Sequence, residues 1–352
     1  MIDSSIPPAI ATTIQRLHGV TSAKPTLPGM SGARVYRCES ESAGSLALRC
    51  WPASVNKDRV AEVHRVQTAA RQSGCQIVPQ LLQITSNGNS NGPQTIATHK
   101  NQCWEIANWL PGTKLPRDAS VQQIVTGAKA IRAFHQSVAG LGTQTTSPLS
   151  KSPLCFASRI ERVAQLNQIL PKAFDRSQLM FSDVLNDSLI RAQQVLRQNW
   201  PAVASEISRS INEHAAHRYQ TQYVLRDVHR DHILFAEDRA VGLIDFDAIR
   251  FDLPLTDLVR WAGSFSSHFE NPKKTEDVWE AVLAGYGPNL SFPNTEGADQ
   301  VPLAKALHFS ATWISLGNWI AWMLVDNRTF PGQDQKIADR IDTLIRSALS
   351  AT

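Results

Sequence analysis

Three short apolar runs late in the chain surround a polar loop that carries carboxylates. The runs at 223–225, 233–236 and 240–246 consist largely of residues that favour β-strands, and a charged turn separates the last two. Asp227 lies in the loop between the first two runs, and Asp245 lies near the end of the third. This order predicts a loop followed by a β-hairpin, which can present one carboxylate from the loop and another from a strand end.

The rest of the sequence divides into a strand-rich first part and a helical second part. In the first part, strand-like runs alternate with turns, and apolar residues at helical spacing predict a helix over 55–73. Later patterns predict helices over 119–138, 157–170 and 186–214, the last interrupted at Pro201. The sequence therefore predicts an α+β fold with a small antiparallel sheet first and a larger helical part after it.

Composition argues against several other classes of protein. Apolar residues at 42% and charged residues at 19% fit a globular chain, and a net charge of +4 without a dense Lys/Arg run gives little support for nucleic-acid binding. The first twenty residues lack the pattern of a secretion signal, and the apolar run 313–325 is too short to span a membrane. The five scattered cysteines fit reduced thiols. We expect a cytoplasmic protein without nucleic-acid or membrane partners, and the oligomeric state stays open.

The loop and the strand that follows it carry a family pattern. Residues 225–234 read LRDVHRDHIL, residues 243–246 read LIDF, and Asp245 lies 18 positions after Asp227. This pattern resembles the aminoglycoside phosphotransferase and choline kinase superfamily, whose loop reads HGDxxxxNIL and whose next strand reads VID followed by Phe or Trp. The resemblance extends over roughly residues 27–260. It implies an ATP-dependent kinase that transfers the γ-phosphate to a hydroxyl of a small molecule.

The resemblance also implies a bilobal, protein-kinase-like fold. The first lobe, predicted over residues 1–108, would bind the nucleotide on a small antiparallel sheet. The second lobe, predicted over residues 109–352, would be larger and helical and would hold the catalytic and acceptor-binding groups. The implied cofactors are ATP and Mg²⁺, and the implied partner is a hydroxylated small molecule.

Two carboxylates compete for the catalytic role. Residues 229–231 spell the HRD of protein kinases, but the position five residues after Asp231 is Ala236, which cannot bind a metal. Five residues after Asp227 stands His232, directly before the strand. We therefore predict that Asp227 is the catalytic residue, which orients and helps to deprotonate the acceptor hydroxyl.

Metal ligands are implied at His232 and Asp245, and His232 departs from the family, which has Asn at that position. Imidazole nitrogen suits Mn²⁺ or Zn²⁺ better than Mg²⁺, so Mn²⁺ is an alternative cofactor. His232 either binds a second metal differently, or contacts phosphate, or leaves that metal site weak. Because Leu225 also replaces the family's first loop His, a catalytically weak or inactive, pseudokinase-like regulatory protein is the alternative function. Asp247 is predicted either to support the second metal or to face solvent.

The resemblance implies nucleotide contacts in the first lobe. Gly29, Ser31 and Gly32 lie where the family has the loop that covers the phosphates, and small residues let backbone N–H groups approach phosphate. Arg49 lies on the strand where kinases carry Lys, so it would pair with the phosphates. Glu62, on the following helix, is the predicted ion-pair partner of Arg49.

Other predicted roles concern the hinge, the loop and the acceptor. The backbone around Ile106 and Asn108 resembles the hinge that meets adenine. Asp257, in a segment that reads DLPLTDL, is predicted to hydrogen-bond the catalytic loop rather than to touch the substrate. The stretch 186–218 has no acidic cluster of the kind that would favour a polycationic antibiotic. The sequence therefore does not identify the acceptor.

Overall fold

The computed structural model of this chain describes residues 1–27, 29, 32–85, 94–141, 153–175, 181–215, 217, 219–265, 272–287 and 300–350. The chain divides into two compact units. The first unit comprises residues 1–114, 133–141 and 231–249, and the second comprises 115–132, 142–230 and 250–352. The first unit thus extends beyond the predicted boundary at residue 108 and takes in two later segments.

Antiparallel pairing joins all the named strands, and most of the strands belong to the first unit. In chain order they are β1 (Val20–Pro25), β2 (Arg34–Ser40), β3 (Gly44–Cys50), β4 (Leu81–Leu82), β5 (Ala97–His99), β6 (Gln102–Asn108), β7 (Thr113–Lys114), β8 (Gln222–Val224), β9 (Ile233–Ala236), β10 (Arg239–Leu243) and β11 (Arg250–Asp252). The main sheet has the order β1-β2-β3-β6-β4, with β5 paired to β6, and a second sheet has the order β10-β9-β7. β8 and β11 pair with each other in the second unit.

Helices supply most of the second unit. In chain order the helices are α1 (Pro8–His18), α2 (Lys57–Gln72), α3 (Val121–Val138), α4 (Leu154–Phe174), α5 (Asp183–Ala215), α6 (Leu255–Gly263), α7 (Pro272–Tyr286), α8 (Gln300–Ile320) and α9 (Asp334–Ser350), and a π-helical turn at Ala321–Val325 follows α8. α1 and α2 belong to the first unit, and α4 to α9 belong to the second. The predicted α+β class, with an antiparallel sheet first and helices after it, is confirmed.

The alternation of buried and less buried residues along β3 sets the orientation of Arg49. Leu46, Leu48 and Cys50 are buried in an apolar cluster that also holds Ile14 of α1. Because successive side chains of a strand point to opposite faces, Arg49 points away from that cluster. The main sheet therefore has an apolar face toward α1 and a face that carries a cation.

Pro201 does not end the helix in which it lies, contrary to the prediction. α5 continues through it for 33 residues. A proline lacks the N–H that would bond the carbonyl four residues earlier, so the loss is one hydrogen bond. Trp200 and Val203, on either side, are each 4% exposed, and the Trp200 indole donates to Asn167 of α4 at 2.7 Å. We infer that tertiary packing outweighs the missing hydrogen bond.

Two sequence-based exclusions can be compared with the structure. In the part of the chain that the structure describes, we find no helix whose length and apolarity would let it cross a membrane. The five cysteines are all buried and free of disulfide bonds.

Candidate active site

Arg49 of β3 meets a carboxylate directly across the strand ladder. Its partner in the β3–β6 register is Glu105, whose Oε1 lies 3.9 Å from Nη1 of Arg49. Glu105 is only 8% exposed, and its Oε2 accepts hydrogen bonds of 2.6 Å from the indole of Trp51 and from Nε2 of His64 on α2. The other ring nitrogen of His64 lies 2.7 Å from Oγ1 of Thr95. A chain of buried polar groups thus fixes the carboxylate that faces Arg49.

Burial and charge act against each other in this network. Burial opposes the positive charge of Arg49, but the carboxylates of Glu105 and Asp247 outweigh it and raise the pKa of the guanidinium. Burial would also raise the pKa of Glu105, yet the hydrogen bond from His64 and the charge of Arg49 lower it below its ordinary value. Arg49 and Glu105 are therefore both charged at neutral pH, although little water reaches them.

The structure corrects the predicted partner of Arg49. The second carboxylate on its guanidinium is Asp247, which follows β10, and burial raises the pKa of this acid although Arg49 opposes the shift. Glu62 instead pairs with Arg59, one turn earlier on the same helix. Arg59 also donates to the backbone carbonyls of Asp247, at 2.6 Å, and of Ile249. The cross-strand register gives Arg49 a nearer acid than the helix does.

The two predicted metal ligands lie at one end of the β9–β10 hairpin. Nε2 of His232 is 3.4 Å from Oδ2 of Asp245. The N–H of Ile244 donates to the carbonyl of His232 at 2.9 Å, which extends the pairing of the two strands to this end. Asp245 has a left-handed φ of 65°, a conformation that is uncommon for a residue with a side chain and is often found at functional sites. Imidazole nitrogen and carboxylate oxygen are both ligands of divalent metals.

In the second unit, one buried carboxylate fixes the loop that follows β8. Asp257 is 0% exposed, and its two oxygens accept hydrogen bonds from the N–H groups of Leu225, at 2.7 Å, and Arg226, at 2.6 Å. The predicted contact between Asp257 and the loop is therefore confirmed. Arg226 has a left-handed φ of 64°, which costs on the order of 1–3 kcal/mol in a residue with a side chain. The two hydrogen bonds help to hold the loop in this strained form.

Asp227, the predicted catalytic residue, is partly open to solvent and bound to an arginine. Its Oδ1 accepts hydrogen bonds from Nε of Arg260, at 3.1 Å, and from Nη2, at 2.7 Å. The side chain of Asp227 is 42% exposed, so a ligand can reach it. Sequence reasoning missed Arg260, although Arg260 follows Asp257 by three positions on α6 and thus shares its helix face.

The structure shows where most of the other residues predicted to contact the nucleotide lie. Gly32 has a left-handed φ of 76°, and a Cβ added there would meet no atom within 4 Å, whereas Ser31 lies outside the described residues. Gly29 is described and belongs to no helix or strand. Ile106 is fully buried inside β6, paired with β3 on one side and β4 on the other. Asn108 donates its N–H to the carbonyl of Gln80 at 3.1 Å, and its Oδ1 accepts from the N–H of Gln80 at 2.6 Å. These roles stay predictions.

The family of the protein follows from a comparison of its sequence with family models. The chain belongs to the phosphotransferase enzyme family (APH), whose model matches residues 26–292. The match includes the sheet that carries Arg49, the loop with Asp227 and the hairpin with Asp245. None of the curated protein sequences that were compared with the chain matches it significantly.

Solved structures of phosphotransferases share the fold. Spectinomycin phosphotransferase APH(9)-Ia, crystallised with ADP and spectinomycin, has a TM-score of 0.63 at 12% identity, over 97% of each chain. An aminoglycoside phosphotransferase from Alicyclobacillus acidocaldarius has a TM-score of 0.60 at 11% identity, over 98% of this chain and 94% of that one. Amicoumacin kinase hAmiN has a TM-score of 0.57 at 13% identity, over 94% and 90%. Identities this low establish the fold and leave the substrate open.

Proposed function

We propose that this protein is an ATP-dependent kinase that transfers the γ-phosphate to a hydroxyl group of a small molecule. The observation that carries the proposal is Asp227, an accessible carboxylate on a loop that buried Asp257 holds by two backbone hydrogen bonds. A carboxylate in that position accepts the proton of the acceptor hydroxyl and orients its oxygen toward phosphorus. Membership of the phosphotransferase family supports this reaction class.

The residues of the first unit fit a nucleotide phosphate and a divalent metal ion. Nε of Arg49 and Oδ1 of Asp247 are buried without a hydrogen-bond partner, which leaves a donor that suits a phosphate oxygen and a carboxylate oxygen that suits a metal ion. Asp245 and His232 offer one oxygen and one nitrogen ligand, a donor set that favours Mn²⁺ over Mg²⁺. In this proposal Arg49 binds phosphate oxygens, and Asp245 with His232 holds the ion. The ion would neutralise phosphate charge.

Related structures support nucleotide use. The spectinomycin enzyme was crystallised with ADP, and the amicoumacin kinase with the ATP analogue AMP-PNP and Ca²⁺. We extend nucleotide binding to this chain because Arg49, Asp245 and Asp247 offer groups for phosphate and metal. The proposed contacts of Gly29, Ser31, Gly32, Ile106 and Asn108 with the nucleotide, the two predicted lobes and a cytoplasmic location belong to the same proposal.

Replacing Asp227 by Asn tests this function without a known acceptor. ATP hydrolysis, in which water replaces the acceptor, is measured as ADP release with Mg²⁺ and then with Mn²⁺, and again with a panel of hydroxylated metabolites. We expect Asp227→Asn to lower turnover by roughly 10²–10⁴-fold, because general-base assistance is lost, while ADP affinity stays unchanged.

Asp231→Asn, four positions along the loop, is the matched control and should keep its turnover. Full activity of Asp227→Asn would show that another residue is the base. ADP binding by the wild-type chain without turnover with either metal would favour the inactive, regulatory alternative that His232 and Leu225 suggest.

A further inference from the structure

Arginines crowd around Asp227 in the second unit. Arg260 holds one oxygen of Asp227 through two nitrogens, and Arg226 precedes Asp227 in the chain. The side chains of Arg226 and Arg260 are 30% and 32% exposed, so a solute can reach both. An acceptor whose hydroxyl reaches Asp227 comes close to Arg260.

Arg159 of α4 adds a third cation that is bound only by neutral groups. Its Nε donates to Oγ of Ser310 at 2.9 Å and its Nη1 donates to the carbonyl of Cys155 at 3.0 Å. Within the described part of the chain Arg159 makes no ion pair with a carboxylate. A guanidinium has five N–H groups, so several remain for another acceptor, and the residue is partly exposed.

The charges of Arg226 and Arg260 act on Arg159. Burial lowers the pKa of Arg159, and the positive charges of Arg226 and Arg260 lower it further, against the opposing effect of Asp252. A cation that is both desolvated and close to like charges is stabilised by any anion that binds it.

Asp252 carries a single negative charge beside two of these arginines. It is 0% exposed, and its Oδ1 accepts from the N–H groups of Cys155, at 3.0 Å, and Leu253, at 2.9 Å. Its Oδ2 lies 3.6 Å from Nε of Arg226 and accepts no hydrogen bond. One buried carboxylate is therefore shared between two arginines, because it pairs with Arg226 at 3.6 Å and its charge also acts on Arg159.

A count of the charged groups leaves a positive excess. The oxygens of the nearby buried Asp257 are taken by the backbone N–H groups of Leu225 and Arg226. In the part of the chain that the structure describes, the three arginines Arg159, Arg226 and Arg260 are thus accompanied by two aspartates, Asp252 and Asp227.

We propose that the acceptor carries an anionic group, a carboxylate or a phosphate, which Arg159 and Arg226 bind while a neighbouring hydroxyl faces Asp227. The guanidinium fork matches two oxygens of either group, and both groups offer the charge that the cluster lacks. A polycationic acceptor would meet three like charges at the same place. This inference rests on the proposed kinase function and adds the substrate class to it.

Four probes with the same six-carbon polyol skeleton test the charge preference. They are D-gluconate, D-glucitol 6-phosphate, D-glucitol and D-glucamine, which carry a carboxylate, a phosphate, no charge and an ammonium group. Binding is measured by calorimetry with saturating ADP and Mn²⁺, so that the probes do not occupy the nucleotide site. We expect at least one of the two anions to bind at least tenfold more tightly than D-glucitol, and D-glucamine to bind no better than D-glucitol.

Arg159→Gln and Arg226→Gln should each weaken binding of the anion at least tenfold and leave that of D-glucitol unchanged. Arg162→Gln is the matched control, because Arg162 lies on the same helix, also bonds neutral amides, and has Asp326 and Arg328 as its charged neighbours. Using two variants guards against a folding defect in either one.

The inference is overturned if neither anion binds, if D-glucamine binds best, or if both variants keep the affinity for the anion. Tighter binding of D-gluconate would assign the acceptor as a hydroxy acid, and tighter binding of D-glucitol 6-phosphate would assign it as a sugar phosphate. Asp227-dependent ATP hydrolysis is measured in parallel. If hydrolysis persists while the charge preference fails, only this inference falls, and if the hydrolysis is absent, the kinase proposal falls whatever the probes do.

Discussion

At the scale of single residues, Glu105 has the role that the sequence suggested for Glu62. A helix-borne Glu can be proposed from its position after the Arg49 strand, but the true partner depends on the register of β3 against β6. That register is a long-range pairing, and no local pattern in the sequence specifies it. The contact between Asp257 and its loop was predictable, because the motif and the loop both belong to the recognisable pattern.

Replacing Glu105 by Gln is expected to affect both stability and nucleotide binding. In the variant, Arg49 stays charged but loses one of its two carboxylate partners. Removing one member of a buried ion pair lowers the free energy of unfolding by about 3 kcal/mol. Without Glu105 the guanidinium keeps only Asp247 to hold it, so it is less firmly oriented and we expect ADP affinity to fall roughly tenfold. Urea unfolding and an ADP titration measure the two effects.

Glu62→Gln is the control for this substitution. Glu62 is 34% exposed and pairs with Arg59, so its loss should change stability by less than about 1 kcal/mol and leave ADP affinity nearly intact. Equal losses in the two variants would mean that the helix carboxylate, and not the strand carboxylate, orients Arg49 during nucleotide binding.

At the scale of elements, the close approach of α3 and α6 depends on a glycine. A Cβ built on Gly127 would lie 2.0 Å from the ring of Trp261, which is 0% exposed and donates from its indole to the carbonyl of Ile124 at 3.0 Å. The indole can move only if this hydrogen bond breaks. Since α6 also carries Asp257 and Arg260, the fit between these helices sets the position of the loop with Asp227.

Gly127→Ala should therefore destabilise the protein even though alanine favours helix. The gain in helix propensity is about 1 kcal/mol, and overpacking against a fixed ring costs about 1–3 kcal/mol or more. We expect a net loss of about 1–2 kcal/mol, measured by urea unfolding. Gly140→Ala, where an added Cβ would have no neighbour within 4 Å, should be neutral, and a stable Gly127→Ala would refute the clash.

At the scale of the whole molecule, the fold class could be predicted, whereas the set of segments that forms each compact unit could not. Hydrophobic spacing identified α2, and turn residues separated the strands of the first unit, because both signals are local. The compact units are made of separate segments, since residues 133–141 and 231–249 join the first unit. The grouping of separate segments into one unit depends on tertiary packing, and so does the continuity of α5 through Pro201. Local sequence patterns predict neither of these features.

Stability of the folded chain should decline in mild acid because of one buried imidazole. His308 of α8 packs edge-on against Trp279 at 6.1 Å between ring centroids, and burial lowers its pKa to about 4. An unfolded histidine has a pKa of about 6.5, so below that pH the unfolded chain takes up a proton that the folded chain excludes. The resulting loss is about 2 kcal/mol at pH 5 and grows until the pH reaches about 4.

His308→Gln removes this titration, so its free energy of unfolding should fall less than that of the wild-type chain between pH 7 and pH 5, by about 2 kcal/mol. Urea unfolding at both pH values, followed by tryptophan fluorescence, measures the difference, since Trp279 lies against the imidazole. His217→Gln, at an exposed position, should keep the wild-type pH dependence. If His308→Gln loses as much stability as the wild type over this interval, His308 takes up a proton in the folded chain as readily as in the unfolded one, and the acid sensitivity has another origin.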